Sequence, residues 1–89
     1  MITKECKIIN KLGLHARASS KLVMIANKFN SEIKISKDNK IANAKSLMSV
    51  MMLSATMSSI ITLTAVGDDE KDAIVALESL INNKFGEEF

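Results

Sequence analysis

The chain has 89 residues and a formal net charge of +2, with 47% hydrophobic and 25% charged residues. This composition predicts a single folded domain over residues 1–89 and excludes a disordered chain or a two-domain enzyme. The lysines are spread along the sequence and only 3% of the residues are aromatic, so no nucleic-acid partner is expected.

The cysteine content and the first residues indicate the compartment. Cys6 is the only cysteine, so the chain has no internal disulfide or cysteine metal site, and a reducing environment is expected. We expect Cys6 to be buried as a small hydrophobic residue. The chain begins with a charged alternating segment and has no apolar stretch that could span a bilayer. A cytoplasmic protein without membrane insertion is therefore predicted.

The first predicted elements are a strand and a helix. Apolar and polar residues alternate from Ile2 to Ile9, which is typical of a half-buried strand. From Ala16 to Phe29 the apolar residues recur at steps of three and four, which predicts an amphipathic helix. Gly13 permits a sharp turn between the two elements. His15, the only histidine, therefore lies at or next to the helix N-cap, with Arg17 in the first turn.

Two strands and a short helix are predicted next. Isoleucines alternate with polar residues over 32–36, and turn residues at 37–40 lead into the segment 41–44, which predicts a β-hairpin. The segment 47–53 is a compact apolar run that follows Ser46, a good helix-capping residue. This pattern favours a short helix, with a strand as the alternative.

A strand and a helix complete the prediction. The β-branched, alternating segment Ile60 to Val66 predicts a strand bounded by Gly67. We interpret the acidic residues 68–70 as partners of the dipole of a final helix that Gly86 ends. Residues 87–89 are expected to be a frayed end.

The predicted element order is βαββαβα. Four strands that include a hairpin do not suit a doubly wound sheet, whereas two split βαβ units with right-handed crossovers place all helices on one side. The prediction is an α+β fold: an open-faced β-sandwich with a four-stranded antiparallel sheet and three helices on one face.

His15 admits two interpretations. A lone histidine near a helix start is most often a surface or capping residue. However, the free N–H groups of the first helical turn and the Arg17 guanidinium can hold a phosphoryl group that a neutral ring nitrogen has accepted. We expect no metal, cofactor or carboxylate near His15. A phosphoryl relay is therefore favoured over a stand-alone enzyme.

The segment Gly-Leu-His-Ala-Arg at residues 13–17 resembles the active-site signature of HPr, the histidine-containing phosphocarrier of the bacterial phosphoenolpyruvate-dependent sugar phosphotransferase system. The segment 45–53 resembles the second signature of this family, and the resemblance covers essentially the whole chain. It implies an HPr-like fold and phosphorylation of His15 on Nδ1 by enzyme I. It also implies that Arg17 stabilises the phosphate and that an enzyme IIA domain receives it.

The resemblance further implies that a serine kinase phosphorylates Ser46 and that a phosphorylase reverses this reaction. A phosphate on Ser46 would put negative charge beside Leu47, Met48 and Met51. The apolar surface of these residues is predicted to bind partner proteins, and the charge would weaken that binding. The chain itself is predicted to be a monomer. Two alternatives stay open. One is an NPr-type carrier of the nitrogen-related branch, and the other is a regulatory interaction module in which His15 is incidental.

Three positions depart from the family pattern. Ala18 stands where proline is common, and Ala44 and Ser49 stand where glycines are common. Because alanine is a strong helix former, the Ala18 departure puts the rigidity of the site in question rather than its chemistry. The other two replacements are tolerated if neither position needs a positive φ.

Overall fold

Four strands form one antiparallel sheet in the computed structural model, which describes residues 1–89. The strands are β1 (Ile2–Lys7), β2 (Glu32–Lys37), β3 (Lys40–Asn43) and β4 (Ile60–Val66), in the sheet order β1-β4-β2-β3. The helices are α1 (Ala16–Ala26), α2 (Leu47–Met51) and α3 (Glu70–Asn82), and a 3₁₀ turn follows at Lys84–Gly86. The predicted α+β class, the antiparallel sheet and the three helices are confirmed.

One face of the sheet forms the base of the hydrophobic core. The register of β4 places Ile61 opposite Cys6 and Leu63 opposite Ile35, and all four side chains are buried. Because side chains alternate along a strand, one face is apolar and the other carries threonines and charged residues. α3 packs on β1 and β4, and α1 packs against both other helices. Cys6 is buried as predicted, and this burial raises the pKa of its thiol.

The first two helices are shorter than predicted. α1 ends at Ala26 rather than at the predicted Phe29. Just after its last residue, the Asn27 side chain donates a hydrogen bond of 2.8 Å to the carbonyl oxygen of Val23 in the last turn. The segment after Ser46 is a helix, as favoured above, but α2 ends at Met51 and not at Leu53. None of the helices has both the length and the apolar character that a membrane span requires.

The acidic residues before α3 do more than complement its dipole. The Asp69 carboxylate accepts hydrogen bonds from the Ser31 hydroxyl and from the amides of Asn30 and Ser31, the latter two at 2.8 and 2.9 Å. The hydroxyl of Ser31 is the main cause that lowers the pKa of Asp69. Asp69 therefore joins the start of β2 to the start of α3, while Glu70 accepts from the Gly67 amide at 3.1 Å.

α3 ends at Asn82, before the predicted stop at Gly86. Lys84 and Phe85 have φ values of 55° and 56°, a left-handed conformation that cannot continue a right-handed helix. The Phe85 side chain is fully buried, and Nζ of Lys21 on α1 donates to its carbonyl oxygen at 2.7 Å. The segment that follows α3 is therefore anchored in the core beside α1.

Candidate functional site

His15 lies at the N-terminal end of α1, as predicted, and occupies the N-cap. Its ring makes no capping hydrogen bond. The first amide of the helix with an intrahelical acceptor is that of Ser19, which donates to the His15 carbonyl oxygen at 2.9 Å. The earlier amides of the first turn are left for an anion, and the positive end of the helix dipole favours one at this position.

The turn at Gly13 directs the chain into α1. Gly13 has a φ of +66°, and a Cβ at this position would lie only 2.5 Å from the Ala55 carbonyl oxygen. The Leu14 amide donates to that same oxygen at 2.9 Å. The predicted sharp turn is confirmed, because both the backbone conformation and the close contact require glycine. The loop that carries His15 is thereby held against the segment that follows α2.

Asn10 is the polar centre of this loop. Its side chain is fully buried, and its Nδ2 donates to the Gly13 carbonyl oxygen and to Oε1 of Glu87, both at 2.9 Å. Its Oδ1 has no hydrogen-bond partner. Sequence reasoning missed Asn10, because an asparagine three residues before a glycine is typical of any surface turn.

Glu87 contacts His15, so the prediction of a frayed end at 87–89 is wrong. Oε2 of Glu87 forms a hydrogen bond with Nε2 of His15, and the side chains of these residues are only 17% and 29% exposed. The hydrogen bond from Asn10 is the main cause that lowers the pKa of Glu87, against a smaller opposing effect of desolvation. An ionised carboxylate therefore lies beside His15, where the sequence predicted none.

Arg17 shares an open depression with His15. Its side chain is exposed and forms no ion pair, which leaves the guanidinium free for a ligand. The predicted pair is thus brought together on the first turn of α1, without a hydrogen bond between its members. The other charged residues that line the depression are Lys11, Lys21, Glu87 and Glu88, and Phe89 lines it as well.

Ser46 caps α2, as predicted from the sequence. Its half-buried Oγ accepts a hydrogen bond from the Ser49 amide at 3.4 Å, which is long for such a bond. Next to it, Nζ of Lys45 donates to the Phe29 carbonyl oxygen at 2.7 Å. This contact ties the beginning of α2 to the segment that follows α1.

The three predicted docking residues are exposed on α2. Leu47, Met48 and Met51 have relative exposures of 42%, 72% and 40%. They do not line the depression around His15, but α2 packs against α1, whose first turn follows His15. The apolar surface and the histidine therefore belong to adjacent helices rather than to one pocket.

Comparisons with known proteins identify the family. The model for the "PTS HPr component phosphorylation site" matches residues 2–83. The chain belongs to the HPr family. The phosphocarrier protein HPr of Cupriavidus necator is 51% identical over 87 residues, which cover 98% of each sequence. This relative favours the HPr interpretation over the NPr alternative, and the family implies enzyme I and enzyme IIA as partners in the phosphotransferase system.

Solved HPr structures share the fold. The crystal structure of HPr-C-His from Thermoanaerobacter tengcongensis has a TM-score of 0.96 and 48% identity, and the match covers all of both chains. An HPr dimer from the same organism has a TM-score of 0.79 and 50% identity, over 92% of this chain and 94% of that one. The chain is thus an HPr-family phosphocarrier in sequence and in fold.

The departures from the HPr pattern fit the structure. Ala18 is fully buried in the first turn of α1, and neither Ala44 nor Ser49 has a positive φ. Glycine is therefore not required at the two latter positions. The strained serines lie elsewhere: Ser54 and Ser58 have φ values of 51° and 78°.

Proposed function

We propose that His15 is the residue that carries the phosphoryl group in this HPr-family chain. It accepts the group from phosphorylated enzyme I, with phosphoenolpyruvate as the ultimate donor, and passes it to an enzyme IIA domain in sugar uptake. The observation that supports this role is the position of the only histidine at the N-cap of α1, in one depression with the unpaired Arg17.

The surroundings of His15 suit an acceptor that must also release the group. A neutral ring nitrogen attacks phosphorus, and the charge of the phosphoryl oxygens is shared by the first-turn amides and the Arg17 guanidinium. The depression that holds His15 is open to solvent, and the Arg17 side chain in it is exposed. Water therefore screens these contacts, and the phosphoryl group is steadied without being trapped.

Incubation with enzyme I and phosphoenolpyruvate tests this role. The chain is expected to gain one acid-labile phosphate, and His15→Ala is expected to gain none. Arg17→Ala should slow transfer by roughly tenfold or more, since it removes a charge-assisted contact. Lys28→Ala, which removes a cation beyond the other end of α1, serves as the matched control. Equal labelling of His15→Ala and of the unmodified chain would refute the proposal and favour the regulatory-module alternative.

The proposal includes control by a serine kinase that acts on Ser46. A dianionic phosphate at the start of α2 is compatible with the helix dipole, but it places charge next to Leu47 and Met48 and disfavours their desolvation by a partner. Ser46→Asp is expected to raise the KM for enzyme I by roughly tenfold. Ser46→Ala, and Ser79→Asp at an exposed position of α3, are expected to change the KM less than threefold. Unchanged transfer by Ser46→Asp would argue against this regulation.

We also propose that the carrier is a cytoplasmic monomer, and that Leu47, Met48 and Met51 form its docking surface. The reducing cytoplasm suits the unpaired thiol of Cys6. Light scattering at working concentration is expected to give a mass near 9.7 kDa. A mass twice that value would instead match the dimeric state named for the T. tengcongensis relative.

A further inference from the structure

We propose that Glu87 is a positioning residue that keeps the hydrogen of the neutral His15 ring on Nε2 and so leaves Nδ1 to accept the phosphoryl group. This inference rests on the proposed phosphorylation of His15 and adds to it a residue 72 positions away. It follows from a series of hydrogen bonds in which each group determines whether the next one donates or accepts.

The series starts at the Gly13 carbonyl oxygen, which can only accept a hydrogen bond. It lies 2.9 Å from Nδ2 of Asn10. The opposite orientation of the Asn10 amide would place two acceptor oxygens at this distance, so the nitrogen must face Gly13. Asn10 is therefore a donor on this side, and the same Nδ2 donates to Oε1 of Glu87 at 2.9 Å.

The carboxylate of Glu87 determines which nitrogen of His15 carries the ring hydrogen. An ionised carboxylate has acceptors only. Glutamate is ionised at neutral pH, and the hydrogen bond from Asn10 lowers the pKa of Glu87 further. Its Oε2 faces Nε2 of His15, so Nε2 must carry the hydrogen. A neutral imidazole has a single N–H, and Nδ1 therefore has the free lone pair.

Glu87 is held in place independently of His15. Two residues earlier, the Phe85 side chain is fully buried, and its carbonyl oxygen accepts from Nζ of Lys21 at 2.7 Å. The contact between Asn10 and Glu87 is a second anchor. The carboxylate is thus preorganised, and it can orient the ring without depending on the ring for its own position.

The transfer step needs no further proton. The Nδ1 lone pair forms the bond to phosphorus, and the donor's bond to phosphorus breaks with its electron pair remaining on the donor. The hydrogen stays on Nε2, so the ring becomes positively charged and faces the Glu87 carboxylate. When the next partner attacks phosphorus, the electron pair of the Nδ1–P bond returns to the ring and restores its neutral form.

Glu87→Gln provides the sharpest test, because glutamine has one acceptor oxygen where glutamate has two. The Asn10 donor takes that oxygen, and the glutamine NH₂ group then donates to Nε2 of His15. The ring hydrogen must move to Nδ1, which loses its lone pair. Glu87→Gln is therefore expected to be worse than Glu87→Ala, although it is the more conservative change. A merely structural role of Glu87 predicts the opposite order.

Two measurements distinguish these orders. Two-bond ¹H–¹⁵N correlation spectra of ¹⁵N-histidine-labelled protein, recorded where the ring is neutral, report which nitrogen carries the hydrogen. We expect Nε2–H in the unmodified chain, Nδ1–H in Glu87→Gln and a mixture in Glu87→Ala. Transfer from phosphorylated enzyme I should slow by roughly tenfold in Glu87→Gln and roughly threefold in Glu87→Ala, with an unchanged KM. Glu32→Ala, at an exposed carboxylate of β2 that does not line the depression, should match the unmodified chain in both measurements.

The outcomes separate this inference from the proposed function. If Glu87→Gln keeps the tautomer and the transfer rate of the unmodified chain, Glu87 does not position the ring, although His15 can still be phosphorylated. If the unmodified chain gains no phosphate on His15, the proposed function fails and so does the assignment of Nδ1 as the acceptor. The same spectra show through their amide signals whether each variant is folded.

Discussion

The loop around His15 and the surface of α2 are held in different ways. Around His15, buried Asn10 fixes the orientation of two partners, and each hydrogen bond has one permitted direction. In α2, Val50 is the only buried residue and the capping hydrogen bond is 3.4 Å long. The difference matches the two proposed tasks. Transfer of a phosphoryl group needs one geometry, whereas docking of several partners benefits from flexible, polarizable side chains.

Phe85→Ala should have the largest effect, and its local structural effect should fall on the His15 side of this comparison. It removes a fully buried aromatic ring, which is expected to lower the free energy of unfolding by about 3–5 kcal/mol. It also releases the anchor of Glu87, so the His15 tautomer should become mixed as in Glu87→Ala. Urea titration measures the first effect and histidine ¹⁵N spectra the second. A variant with unaltered stability and tautomer would show that this segment does not support the site.

Gly13→Ala should cause the next largest loss of stability. The added Cβ meets the Ala55 carbonyl oxygen at 2.5 Å in a backbone with a φ of +66°, so a loss of about 1–3 kcal/mol and slower transfer are expected. Gly86→Ala is the matched control: its φ is +80°, but its Cβ meets only Nζ of Lys21, at 3.4 Å. Thermal unfolding of both variants separates the effect of the clash from that of backbone strain, and equal losses would contradict the importance of the contact.

Met48→Ala on α2 should weaken partner binding while leaving the stability of the fold almost unchanged. The side chain is 72% exposed, so the free energy of unfolding should change by less than about 0.5 kcal/mol. The KM for enzyme I is expected to rise roughly tenfold, which corresponds to about 1.4 kcal/mol, because the variant removes part of the proposed docking surface. Met57→Ala, at a residue that is 51% exposed outside α2, should leave the KM unchanged. Equal KM values for the two variants would count against a docking role.

Acid should affect the two regions differently, and this is the smallest expected effect. The pKa of Glu87 is lower in the folded chain than its ordinary value, so its contribution to stability is complete above the unfolded-state pKa and is lost as pH falls through the folded one. The Gly13 amide donates to the backbone carbonyl oxygen of Asn10 at 3.2 Å, and the Asn10 side chain is bound to Glu87. Hydrogen exchange at this amide should therefore accelerate below about pH 4, relative to its intrinsic rate. The Val50 amide should lose no protection there, because the segment 45–53 contains no carboxylate. Parallel behaviour of the two amides would contradict this prediction.

Local patterns predicted the elements of the fold well. β4 has the predicted bounds, Ile60–Val66, because β-branched alternation next to Gly67 is a strong local signal. The same holds for the start of α1 and for the Ser46 cap. Helix ends were less accurate, because they depend on side-chain contacts such as the one that Asn27 makes at the end of α1.

The part of the site that could not be predicted comes from the far end of the sequence. Glu87 reaches His15 only because Lys84 and Phe85 adopt a left-handed conformation, which residues other than glycine seldom do. No periodic pattern indicates such a turn. The burial of Phe85 in the core selects it, and that is a property of the folded chain.

The position of Phe89 has a practical consequence for handling the protein. Its backbone oxygen accepts a hydrogen bond from the Lys11 amide at 3.0 Å, so anything fused after Phe89 begins at the rim of the depression that contains His15. A polyhistidine tag there would bring competing imidazoles to the one histidine whose phosphorylation is to be measured. Met1, at the other end of β1 from Asn10, is the better attachment point for such a tag.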